Sequence, residues 1–89
     1  MEERELQQRA RRAFDRASVS QSDVARALSV NRSSVSRALR NTGLKHAAMQ
    51  ARILSLLEGE PVERRSIYDG KDVRHEWTVG REPRAKRLR

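Results

Sequence analysis

The sequence predicts a mainly α-helical fold: a four-helix domain, a C-terminal β-hairpin and a disordered basic tail. Three observations predict it. Apolar residues recur at helical spacing over most of residues 2–58. Two helix starts, at Ser20 and Asn31, stand eleven residues apart, which forces a short helix and a tight connection between them. After Pro61 the pattern changes to two short runs around Asp69-Gly70-Lys71-Asp72. The expected division is 1–59 helical, 60–79 hairpin and 80–89 tail.

Residues 2–17 read as an amphipathic helix, with Leu6, Ala10, Ala13, Phe14 and Ala17 on one side. Ser20 then opens a second helix. Asp23 stands three residues on, as in a capping box, and Val19 and Val24 hold the staple positions. The arrangement repeats at Asn31, with Val30 and Val35 as the staple. The third helix runs through Val35, Ala38 and Leu39, and Gly43 is expected to end it. A fourth helix covers 45–58 and stops at Gly59. Its buried stripe is expected to be Ala47, Ala48, Ala51, Leu54 and Leu57. Met49, Ile53 and Leu56 fall off that stripe and are assigned to contact with a second subunit, since leaving them in water is costly.

The runs 62–68 and 73–79 form the hairpin. Pairing Tyr68 with Val73 sets Arg65 opposite Glu76 and Val62 opposite Val79. A one-residue shift sets Arg65 opposite Arg74, a destabilising like-charge pair. In the favoured register Val62, Tyr68, Val73, Trp77 and Val79 share a face. A lone two-stranded hairpin is marginal, so that face must cover something. Tyr68, Val73 and Trp77 therefore join Ile53 and Leu56 as expected dimerisation residues, with two alternatives left open: the hairpin grips DNA as a wing, and Trp77 packs on a helix instead of a subunit. Arg64 stands opposite Trp77, in place for a cation–π contact.

The 89 residues suffice for one small domain, and with 36% apolar residues its core must be thin. Such domains often take stability from a partner subunit, so a homodimer is expected. The net charge of +8 favours a polyanionic partner. With no cysteine there is no disulfide or thiolate metal site. His46 and His75 are too far apart in sequence for a metal site, and no cofactor is expected. No apolar run approaches the roughly 20 residues that span a bilayer. The start, Met1-Glu2-Glu3-Arg4-Glu5, is too charged for a secretory signal, so the expected location is cytoplasmic, on the nucleoid. Nothing resembles a catalytic acid pair, a Ser–His–Asp or Cys–His set or a Gly-rich phosphate loop, so no enzyme is expected.

The positive excess sits in two places. Residues 18–42 carry Arg26, Arg32, Arg37 and Arg40 against Asp23 alone. Residues 81–89 carry Arg81, Arg84, Lys86, Arg87 and Arg89 against Glu82. Within the first stretch Val24, Ala25, Leu28, Val30, Val35 and Ala38 make the inside of a two-helix unit. Its outside bears Arg32, Ser33, Ser34, Ser36, Arg37 and Arg40, with Asn41 beyond. That side has no acid and no long apolar chain. Short hydroxyls permit close approach to base edges, and Arg can chelate guanine.

Ser20-Gln21, Val24-Ala25, Leu28, Val30, Val35-Ser36-Arg37 and Leu39 resemble the helix-turn-helix of phage repressors and Cro proteins. Asp23-Val24-Ala25 with Ser34-Val35-Ser36-Arg37 is also similar to the lac-repressor headpiece. The likeness covers about 25 residues and departs at Ser29, where those families usually have Gly. It implies a phage-type or mobile-element DNA-binding protein. By the same resemblance Gln21 touches phosphate and braces the recognition helix. Arg32, Ser33, Ser34 and Arg37 face the major groove, with Asn31 at its edge. Ser36 and Arg40 lie nearer the backbone, Asn41 continues the DNA-facing side beyond them, and Lys45 and His46 are phosphate contacts.

The function expected is a dimeric transcriptional repressor that inserts residues 32–41 into the major groove of a palindromic operator in double-stranded DNA. Two alternatives stand beside it. One is an antitoxin-like module whose hairpin or tail grips a heterologous protein. The other is a basic RNA-binding protein, for which stacking aromatics are nearly absent.

Overall fold

The computed structural model describes residues 1–80. Four helices and a hairpin follow in order: α1 (Glu3–Arg16), α2 (Gln21–Leu28), α3 (Arg32–Arg40), α4 (Leu44–Glu58), β1 (Val62–Asp69) and β2 (Asp72–Val79). The expectation for the tail lies outside the described residues, apart from Gly80. Gly80 closes the hairpin: its N–H donates to the Pro61 carbonyl at 2.7 Å, and it is buried.

α1 buries Leu6 and Ala10 and half-buries Ala13 and Phe14, as its spacing predicts. It packs on α4, where Arg9 donates two bonds to the Glu58 carboxylate, at 3.2 and 2.9 Å. This forked bond raises the Arg9 pKa further above its ordinary value.

α2 opens with the expected capping box. Ser20 Oγ accepts from the Asp23 amide at 3.0 Å, and the Asp23 carboxylate accepts from the Ser20 amide at 3.1 Å. α2 ends at Ser29, whose φ of 58° is left-handed. Its amide bonds back to the Arg26 carbonyl, and Val30 N–H to that of Ala25 at 2.9 Å, so the chain turns sharply into Asn31. Val24, Ala25, Val35 and Ala38 seal the contact between α2 and α3, with Leu28 and Val30 packed at its margin.

Ser29 is exposed and carries a Cβ in a conformation that costs a non-glycine residue about 1–2 kcal/mol. Glycine removes that cost but gives the unfolded chain about 0.4–1 kcal/mol more entropy. Ser29→Gly is therefore expected to stabilise the protein by about 0.5–1 kcal/mol, read from denaturant midpoints at unchanged slope. A destabilised variant contradicts the strain argument.

Two expectations for α3 and α4 need correction. α3 stops at Arg40, with Asn41 extended beyond it, and Gly43 starts α4 instead of ending α3. Gly43 has a φ of 129°, so it does need to be glycine, but as the entry to the next helix. The buried side of α4 is Ala47, Gln50, Ile53 and Leu54; Ala48 is exposed and Ala51 half-buried. A polar residue at position 50 broke the apolar pattern and rotated the inferred stripe. Ile53, expected at a subunit contact, is wholly buried inside its own chain, and Met49 packs against the same core. Leu56 does stay exposed, at 41%. Gly59 ends α4 in the left-handed conformation, as expected.

The hairpin has the favoured register: Val62 faces Val79, Arg65 faces Glu76 and Tyr68 faces Val73. Its base lies over α1 and α4, with Val62 and Val79 against the core. Trp77 is 2% exposed, so it too leaves the dimerisation set: it roofs its own helices. The backbone of Met1 exchanges two hydrogen bonds with that of Trp77, at 2.7 and 2.8 Å. Arg64 does not stack on Trp77 but reaches His75 Nδ1 at 3.2 Å, beside Ser66 Oγ at 2.9 Å. Of the apolar residues on that face, Tyr68 and Val73 at the tip are in water, 76% and 49% exposed. No helix among the described residues is long and apolar enough to cross a membrane.

Candidate nucleic-acid interface

Helical geometry sorts the side chains of α3. Val35, Ala38 and Leu39 point inward and are buried. Residues 32, 33, 36, 37 and 40 then form two adjacent rows on the opposite side. Arg32, Ser33, Arg37 and Arg40 are exposed, and Ser36 is half-buried where the surface dips. Together with Gln21, from the first turn of α2, these five line an open concavity of about 320 Å³.

The remaining candidates lie around it. Asn31 is the exposed N-cap of α3, but its side chain makes no capping bond. Ser34 is half-buried. Asn41 is exposed, yet its Nδ2 donates back to the Arg37 carbonyl at 2.9 Å, so one end of that amide is already engaged. Lys45 is exposed and His46 half-buried on the first turn of α4, outside the concavity. The described residues contain no group of three side chains arranged to hold a metal ion.

The charge of the concavity is one-signed. Among the described residues its three arginines, Arg32, Arg37 and Arg40, form no ion pair, a state they share with Arg4, Arg12, Arg16, Lys45, Arg52, Arg64 and Lys71 elsewhere. The nearest acid in sequence, Asp23, is committed to the α2 cap and to Arg26, 3.2 Å away. The Ser20 amide bond, the Ser20 hydroxyl and Arg26 hold its carboxyl below the ordinary carboxylate range, so it stays ionised in its own cluster. Arg37 and Arg40 also sit on the last turn of α3, where cations complement the helix dipole.

Side chains from the other helices hold the ends of this unit, and the apolar pattern gave no notice of them. Arg52 of α4 donates to the Leu28 carbonyl at the end of α2, at 2.8 Å. Gln50 donates to the carbonyls of Ala38 and Asn41, at 2.9 and 2.6 Å. Gln7 of α1 donates to that of Leu39. One signal was available: Gln50 stands three residues after Ala47 and four before Leu54, so it shares their side of the helix.

No family model matches this chain, and searches of curated proteins and of solved structures return no match.

Proposed function

We propose that the chain is a sequence-specific DNA-binding regulator, a dimeric repressor in which α2 and α3 act as a helix-turn-helix. The observation that carries this reading is the outer side of α3. It presents three exposed arginines and short serines, without an acid, around a concavity that Gln21 borders. Guanidinium groups without carboxylate partners keep their donors for phosphates or guanine edges. Short hydroxyls let the helix backbone come close enough for those contacts.

The same reading accounts for the packing. α1 and α4 bury the inner side of the unit, and the hairpin covers α1 and α4, so the mass of the domain lies behind α3. With Ile53 and Trp77 taken by the chain's own core, the dimer contact in this proposal falls to Leu56, Tyr68 and Val73, the exposed members of the expected set. Two copies would read half-sites about one helical turn apart. Repression would come from occlusion of the promoter.

Selection of bound duplexes from a random pool tests the proposal. The expected result is an enriched inverted repeat, bound by two chains. Its affinity should fall with salt by a log–log slope of roughly −0.9 per phosphate neutralised. An unenriched pool, a flat salt response or preference for structured RNA over duplex DNA overturns it.

A further inference from the structure

The last turn of α3 is held in an unusual way. The final carbonyls of a helix lack partners within it. Here those of Arg37, Ala38 and Leu39 each receive a side-chain amide, from Asn41, Gln50 and Gln7 respectively. The three donors come from three places: the residue after α3, α4 and α1. Gln50 is the anchor of the set. It is 0% exposed, and its one NH2 group bridges the carbonyls of Ala38 and Asn41, one on each side of the helix end. Its Oε1 has no hydrogen-bond partner among the described residues. Its hydrogen bonds to the described residues are thus all made through the donor end.

Apolar contacts at Val35, Ala38 and Leu39 decide which side of α3 faces the core but set its fine orientation less sharply, because the hydrophobic effect has no direction. Hydrogen bonds do have one: they weaken steeply away from linearity. Two bonds from a single buried amide define where the end of α3 lies along and about its axis. Arg37 and Arg40 project from this same turn on its outer side. Bidentate recognition of a base edge tolerates only a small displacement of those guanidiniums.

We infer that Gln50 is a specificity-determining positioning residue: without touching DNA, it sets the orientation from which Arg37 and Arg40 read bases. This rests on the DNA-binding reading above. Salt-dependent attachment to phosphates needs far less angular precision, so Gln50 governs discrimination more than attachment.

The test uses the full chain with Gln50→Met, which keeps length and bulk but removes the donor. Ile53→Val is the control, a small core loss on the same helix with no bond to α3. The ratio of affinities for the selected site and for random duplex is expected to fall about tenfold in Gln50→Met, the order of one lost base-pair contact. Affinity for random duplex should stay within about twofold, and Ile53→Val should keep the wild-type ratio. An unchanged ratio in Gln50→Met, or an equal fall in Ile53→Val, overturns the inference. Amide NMR of the free proteins separates this failure from failure of the parent reading. Gln50→Met should perturb Arg37 to Asn41 while sparing Arg32 to Ser34. If wild type selects no duplex but this pattern appears, the positioning stands and the DNA reading falls. If the perturbation is absent or spread evenly along α3, the positioning falls. Should Gln50→Met fail to fold, Gln50→Glu is measured instead. A carboxyl has at most one donor and cannot serve both carbonyls, so Arg37 to Asn41 must be perturbed while Arg32 to Ser34 are spared; a wild-type spectrum over Arg37 to Asn41 overturns the inference.

Discussion

Trp77→Ala is expected to cost about 3–5 kcal/mol of stability, the range for removing a large aromatic from a core. Trp77 is the largest of the fully buried side chains. It belongs to the same cluster as Leu6, Leu39, Ile53 and Leu54, so its loss opens a cavity under the hairpin and over α1 and α4 at once. The backbone bonds between Met1 and Trp77 do not depend on the side chain, but they hold a strand that would no longer have a reason to lie there. Small domains have only about 5–15 kcal/mol in total, and a domain of this size loses roughly 4–8 °C of Tm per kcal/mol. Thermal unfolding followed by far-ultraviolet circular dichroism checks this. A loss below about 1 kcal/mol would mean that the hairpin is an appendage and not a wall of the core.

Arg37→Ala is expected to weaken binding to the selected operator by about 1–3 kcal/mol while leaving the fold intact. Arg37 is exposed, forms no ion pair among the described residues and stands between Ser33, Ser36 and Arg40 in the concavity. A base-reading arginine loses discrimination when truncated; a phosphate-binding one loses the same affinity on every sequence. The decisive measurement is therefore a pair of titrations, on the selected site and on random duplex, with single-base variants of the site. Preference should relax at one base pair in each half-site. Equal losses on both duplexes would move Arg37 to the backbone and leave Arg32 and Ser33 as the groove-facing pair.

The chemistry of α3 was legible without coordinates because it depends on local spacing. Val35, Ala38 and Leu39 define the inner side at helical intervals, and whatever remains must face out. The capping box at Ser20 and Asp23 is equally local, since its four atoms lie within one turn. So was the hairpin register, which the choice between Arg65 opposite Glu76 and Arg65 opposite Arg74 suffices to settle.

What failed to be legible involved one element meeting another. Pattern reading takes a polar residue as solvent-facing, and Gln50 is polar because the end of α3 needs a donor at that point. That single substitution for an apolar residue displaced the inferred stripe of α4, and with it Ile53, toward an imagined subunit contact. Trp77 falls in the expected subunit contact for the related reason that a hairpin face does not announce whether another subunit or the chain's own helices cover it.

By itself the sequence determined the elements, the turn at Ser29, the strand register and the serine–arginine side of α3. All of these follow from interactions between residues close along the chain or paired across one turn. Only the tertiary structure decided which apolar residues are spent inside the molecule and which amides hold the end of α3. Those choices depend on distances between helices; spacing can place a residue such as Gln50 on one side of its helix but does not say what that side meets.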